Sequence, residues 1–171
     1  MLNVVEKCVT MLESISEYSG RWVSWLTLGA VLTLFVVVVL RYAFQTGSIA
    51  LQESVTYMHG LIFLIGAAYT LKHDEHVRVD IFYTRFSARG KAIIDLIGTL
   101  VLLLPFSLTI AYLSWDYVEA SWRIKESSSE AGGLPGLYLL KSTLLLMAAL
   151  LINQGLATLG RSILTISQGA K

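Results

Sequence analysis

The chain is poor in the residues that cross-linking and buried acid–base chemistry need. It has one cysteine, Cys8, and two prolines in 171 residues. A lone thiol excludes an intramolecular disulfide, and with it a membrane thiol oxidoreductase of four-helix design, which needs paired cysteines. Charged residues make up only 15% of the chain, the formal net charge is +1, and no basic run is long enough to track phosphates. This balance argues against a nucleic-acid partner. Carboxylates are missing where they would matter most, because no Asp or Glu lies inside any of the four longest apolar stretches.

Those stretches dominate what is present. Trp22–Leu40, Ser54–Leu71, Leu96–Trp115 and Ser142–Gly160 are each free of charge and bounded by charged residues. With a rise of ~1.5 Å per residue, each is long enough to cross a hydrocarbon core of about 30 Å. Hydrocarbon offers no partner to backbone N–H and C=O groups, so such spans are helices. A hydrophobic share of 55% and a mean hydropathy of +0.66 agree. The fold class is all-α: a polytopic membrane protein of four transmembrane helices, one membrane domain over residues 1–171. The helices are expected at about 22–41, 53–71, 92–122 (including an extension beyond the membrane) and 137–160. The first apolar run is too long for a signal h-region and lacks an Ala-x-Ala pattern, so the chain is taken as mature.

Leu2, Val5, Val9, Leu12 and Ile15 recur at helical spacing, with Glu6, Glu13 and Glu17 elsewhere around the turn. This predicts a separate amphipathic interfacial helix over 2–18, the alternative being a frayed extension of the first span. Its three glutamates disfavour anionic headgroups, so a protein groove is another berth. Lys and Arg divide unevenly between the two ends. Lys7, Arg21, Lys72, Arg78, Arg85, Arg89, Lys91, Arg161 and Lys171 fall on one side, and Arg41, Arg123, Lys125 and Lys141 on the other. The positive-inside rule then gives an N-in/C-in topology.

Local signals refine the connections. Ser87 is placed to cap the third helix, and Asp80 a short helix before it. Pro105 should distort the third helix or leave a carbonyl in need of a partner. Glu119 and Arg123 form an i,i+4 pair. The run Ser127–Ser129, Gly132, Gly133, Pro135 and Gly136 reads as the turn into the fourth helix.

Few polar residues are left for chemistry. An ion-coupled transporter keeps a carboxylate or broken helices near mid-membrane, and this chain has neither. His59 has no histidine at matching depth for haem, which leaves a helix–helix hydrogen bond as its role. Asn153 and Gln154 read as interhelical glue. Small residues (Gly60, Gly66, Ala67 and Ala68, then Ala148, Ala149, Gly155 and Ala157) permit close approach to another helix or to a partner subunit. His73 and His76 stand among carboxylates, but no second ligand cluster completes a metal site. No catalytic residue, cofactor or metal is expected. Two rival classes stay open on residues alone: a self-contained homo-oligomeric exporter or channel, and a haem-bearing cytochrome subunit.

The order of several short patterns resembles one family. His76, Arg78, Val79 and Asp80 follow the second helix as His-x-Arg-Val-Asp. Arg41-Tyr42 ends the first helix, Glu53 opens the second, and the run 133–141 leads into the fourth, with Lys141 where many members have proline. Over roughly residues 20–161 the chain is similar to the small membrane subunit (DctQ-like) of tripartite ATP-independent periplasmic, or TRAP, transporters. The resemblance implies partnership with a large permease (the M subunit) that binds substrate and sodium and moves like an elevator. A periplasmic binding protein (the P subunit) would deliver the cargo, a small organic acid, to the bacterial inner membrane. The small subunit would widen the static scaffold, in contact with membrane lipid. Arg41, Glu53, His76, Arg78 and Asp80 would be structural or interface positions and not ligands of cargo.

Overall fold

In a computed structural model, which describes residues 2–76 and 83–168, the chain is helical and no strand occurs among the described residues. Helix α1 covers Leu2–Ala43, α2 Ile49–Lys72, α3 Ala88–Arg123 and α4 Leu137–Ser167. All four are long and apolar enough to cross a membrane. Helix α4 is the central element and packs against each of the others, while α1 and α2 also pair along their length.

The interior is built from small side chains. Ala68, Ala148 and Ala157 are fully buried, and Gly155 lies against Thr99, Leu103 and Leu104 of α3. Part of the small-residue faces on the second and fourth helices is thus spent within the bundle, while Ala149 is exposed and Gly66 faces open space. Large apolar residues face outward instead, among them Trp22, Trp25, Phe35, Phe63, Leu102 and Phe106. This inversion is physically reasonable, because hydrocarbon outside is as good a solvent for Leu or Phe as a protein interior, and close backbone approach has to hold the helices together.

The expected separate helix over 2–18 is not a separate element. Residues 2–43 form one continuous helix, about 63 Å long at ~1.5 Å per residue. No proline interrupts it, and two of its three acidic residues have partners inside the chain. Glu13 pairs with Arg161 at 2.6 Å, and Glu17 with Lys72 at 2.6 Å. Val9 is buried against Gly160, while Ile15 is exposed and Ser16 takes the inward position. The protein groove considered for this segment is the chain's own, between α2 and α4.

Other local expectations are met. The Ser87 hydroxyl accepts a hydrogen bond from the Gly90 amide at 3.2 Å. Arg123 pairs with Glu119 at 2.9 Å. Pro105 acts one turn ahead of itself: residues Thr99–Leu103 form a π-helical turn, closed by the Leu104 amide on the Thr99 carbonyl. The wider turn accommodates a proline that lacks the amide for a regular i→i−4 bond. Gly136 opens α4 at φ +129°, a backbone state closed to side-chain-bearing residues. The proposed cap by Asp80 lies outside the described residues.

Candidate functional site

The bundle's polar chemistry is concentrated at its two ends. At one end, which carries both termini, Glu17 is the hub. Its carboxylate receives Lys72 at 2.6 Å, Arg21 at 2.7 Å and His73 Nε2 at 3.4 Å. His73 Nδ1 lies 3.0 Å from the Tyr69 carbonyl, so both ring nitrogens have protein neighbours. Nearby, the Asn153 amide donates to the Leu12 carbonyl at 2.8 Å. Asn153 is therefore interhelical glue, as its position suggested. His59 departs from expectation: it is exposed and has no hydrogen-bond partner among the described residues.

At the opposite end, Glu53 in the first turns of α2 holds the loop between α3 and α4. It accepts hydrogen bonds from the Ser128 hydroxyl and, at 2.6 Å, from the Leu134 amide. The loop also closes on itself, with Ser128 N–H donating to Leu134 C=O at 3.1 Å and a bridge between Ser127 and Pro135. A second tie crosses its base, where the Lys141 ammonium pairs with Glu126 and stands 4.1 Å over the Tyr117 ring. Beside it, Trp122 Nε1 donates to Ser142 at 2.7 Å, and Lys125 lies 4.3 Å over the Trp122 ring. The result is a polar cap that ties the loop to α2 and to the start of α4.

The Lys141 ammonium holds the Glu126 carboxyl below the usual carboxylate range. A lowered folded-state pKa contributes stability that is complete above about 4.3 and is lost as the pH falls through the lowered value. Amide exchange over residues 124–136, corrected for intrinsic rates, should therefore rise in an extra step below about pH 4. The Glu126→Gln variant should lack that step. An identical acid response in both proteins would show that the pair does not form.

Of the five positions singled out in sequence, the three that lie among the described residues are not brought together. Glu53 is the anchor of the cap. Arg41 is exposed across the same connection, with no ion-pair partner among the described residues. His76 is exposed at the other end of the bundle. Arg78 and Asp80 lie outside the described residues. Sequence reasoning missed Glu17 and the Glu126–Lys141 pair. Lys141 was visible only as a departure from the family's proline, and its partner stands 15 positions away across a turn.

With this geometry in view, a family model described as "Tripartite ATP-independent periplasmic transporters, DctQ component" matches residues 13–165. No curated protein and no solved structure matches the chain.

Proposed function

This chain belongs to the DctQ family of TRAP transporter components, and from that premise we propose that it is a non-catalytic brace for a large permease. In this reading the permease carries out sodium-coupled uptake of a small organic acid delivered by a periplasmic binding protein. The observation that carries the reading is the distribution of polarity. All carboxylates lie outside the charge-free stretches, the interior is filled by small residues, and large apolar side chains cover the outside. Among the described residues such a bundle has no buried Asp, Glu, Lys or Arg at mid-depth through which a gradient could do work. It does have extended apolar faces on which a membrane partner can pack.

The positive-inside excess puts both termini, and the Glu17 hub, on the cytoplasmic side of the inner membrane. The Glu53 cap then faces the periplasm, where a binding protein would meet the complex. Arg78 and Asp80, with His76, would organise the cytoplasmic connection. Blue-native electrophoresis of this chain co-expressed with its large permease should give one co-migrating band. Migration of the chain free of any large subunit would contradict the assignment. Accumulation of solute by liposomes containing this chain alone would equally overturn a passive role. Arg78→Ala or Asp80→Ala should lower complex yield or uptake and leave cargo preference unchanged; a switch in selectivity would place these residues at a substrate site.

A further inference from the structure

The four charge-free stretches hold three side chains with an imidazole or an amide: His59, Asn153 and Gln154. Asn153 is bonded to Leu12, and Gln154 is buried within the bundle. His59 is the exposed one, without a hydrogen-bond partner among the described residues. His73, by contrast, has a protein neighbour at each ring nitrogen. Exposed hydroxyls in these stretches cost less, because Ser and Thr can return to a carbonyl of their own helix. Ser24 and Thr56 do so.

Depth makes the imidazole costly. His59 stands six residues past Glu53, about 9 Å along the helix axis. An imidazole is too short to reach back to the headgroups as the long stems of Lys and Arg do. Against hydrocarbon, its N–H donor and its ring acceptor would both go unpaired.

His59 belongs to a row on the outer face of α2. Gln52, Thr56, His59 and Phe63 are all exposed and recur at intervals of four, three and four residues. Gly66 and Thr70 extend the row at the same spacing. A Cβ at Gly66 would meet no atom within 4 Å, and Thr70 turns its hydroxyl back onto the Gly66 carbonyl. Alternating intervals of three and four average about 3.5 residues, the seam of a neighbouring helix packed at a shallow crossing angle. Helices α1 and α4 pack on the other sides of α2 and leave this seam unfilled. The outer faces of α1 and α3 differ in kind. Val31, Leu32 and Phe35 on one, and Leu102 and Phe106 on the other, need nothing beyond hydrocarbon.

We infer that the α2 row from Gln52 to Thr70 seats one transmembrane helix of the large permease, which presents a hydrogen-bonding side chain to His59. This rests on the proposed brace function and names the surface through which it acts. Gly66 lets the two backbones come close, and Phe63 supplies apolar contact beside it. His59 fixes the register, because the imidazole is satisfied only where the partner's polar side chain stands opposite. Lipid covers the apolar outer faces of α1 and α3.

Photo-cross-linking within the membrane tests this on the full chain co-expressed with its permease. The probe, p-benzoylphenylalanine, replaces Phe35, Phe63 or Phe106 one at a time; these are exposed on α1, α2 and α3 respectively. The Phe63 site should give a permease adduct, and the other two should give none. His59→Leu should lower the permease retained per chain about three- to tenfold, the worth of one interhelical hydrogen bond in a bilayer. The unfolding midpoint of the isolated chain should not fall, since the imidazole bonds to nothing in the bundle. His59→Gln, which still donates and accepts, should recover part of the loss. A permease adduct from Phe35 or Phe106 but not from Phe63 would overturn the seat. So would a Phe63 adduct to a second copy of this chain, or undiminished retention in His59→Leu. Failure of the wild-type chain to co-purify with its permease would remove the brace function itself, and the seat with it.

Discussion

Glu53→Leu should release the polar cap while leaving the four helices intact. The substitution strands the Ser128 hydroxyl and the Leu134 amide, both of which now donate to a single carboxylate. Hydrogen bonds to an ionised acceptor are about twice as strong as neutral ones, and leucine can replace neither. The loss is local, because α3 and α4 are held elsewhere by their own packing. Limited proteolysis should therefore cut within 124–136 on the order of tenfold faster, with little change in helical circular dichroism. Glu53→Gln keeps one acceptor oxygen and should fall between the two. If Glu53→Leu resists protease as well as the wild type, the cap is held by the loop's internal bonds and Glu53 is not its anchor. Should the cap contribute to docking of a periplasmic partner, the same variant would weaken that docking without touching any transport residue.

Gly20→Ala should destabilise the α1–α2 pair by about 1–3 kcal/mol, the usual cost of forcing a methyl group into a packed site. A Cβ at Gly20 would collide with Cβ and ring atoms of Tyr69. In an exposed helix the same change would help by about 1 kcal/mol, since alanine is the better helix former. The sign of the effect thus reports whether the two helices touch there. A double-mutant cycle makes the test sharp: on a Tyr69→Ala background, Gly20→Ala should become neutral or stabilising. The readout is the unfolding midpoint in detergent, followed by tryptophan fluorescence. Stabilisation by Gly20→Ala in the wild-type background would mean that α1 does not lie against Tyr69. That outcome would also free residues 2–18 to form the separate interfacial helix that their amphipathic pattern suggests.

The continuity of α1 is the clearest difference between pattern and structure. Val5, Val9 and Leu12 form an apolar stripe that suits a lipid surface and a protein groove equally well. The stripe alone has no means of choosing. Glu13 and Glu17 decide it, because Arg161 and Lys72 stand ready to pair with them at 2.6 Å each. Those partners are 148 and 55 positions away in the chain. The Asn153 and Gln154 amides make a similar case. Adjacent in sequence and alike in chemistry, they carry the same pattern signal, yet Asn153 reaches Leu12 and Gln154 Oε1 reaches no donor.

The amino-acid sequence by itself determined the number of spans, their helical state, the Ser87 cap, the turn before α4 and the family. Each of these follows from local rules: length against a hydrocarbon core, backbone groups that must be satisfied within a segment, and residues with restricted backbone freedom. Tertiary structure alone decided that α1 is unbroken, that Glu53 grips a loop 75 and 81 positions away, and that His59 faces out of the bundle. The reason is the solvent. Where lipid and protein interior are equally apolar, hydrophobic pattern marks a helix as membrane-spanning but does not say which face meets which neighbour. That information lies in a few small residues and a few distant charge pairs, and only folding brings them together.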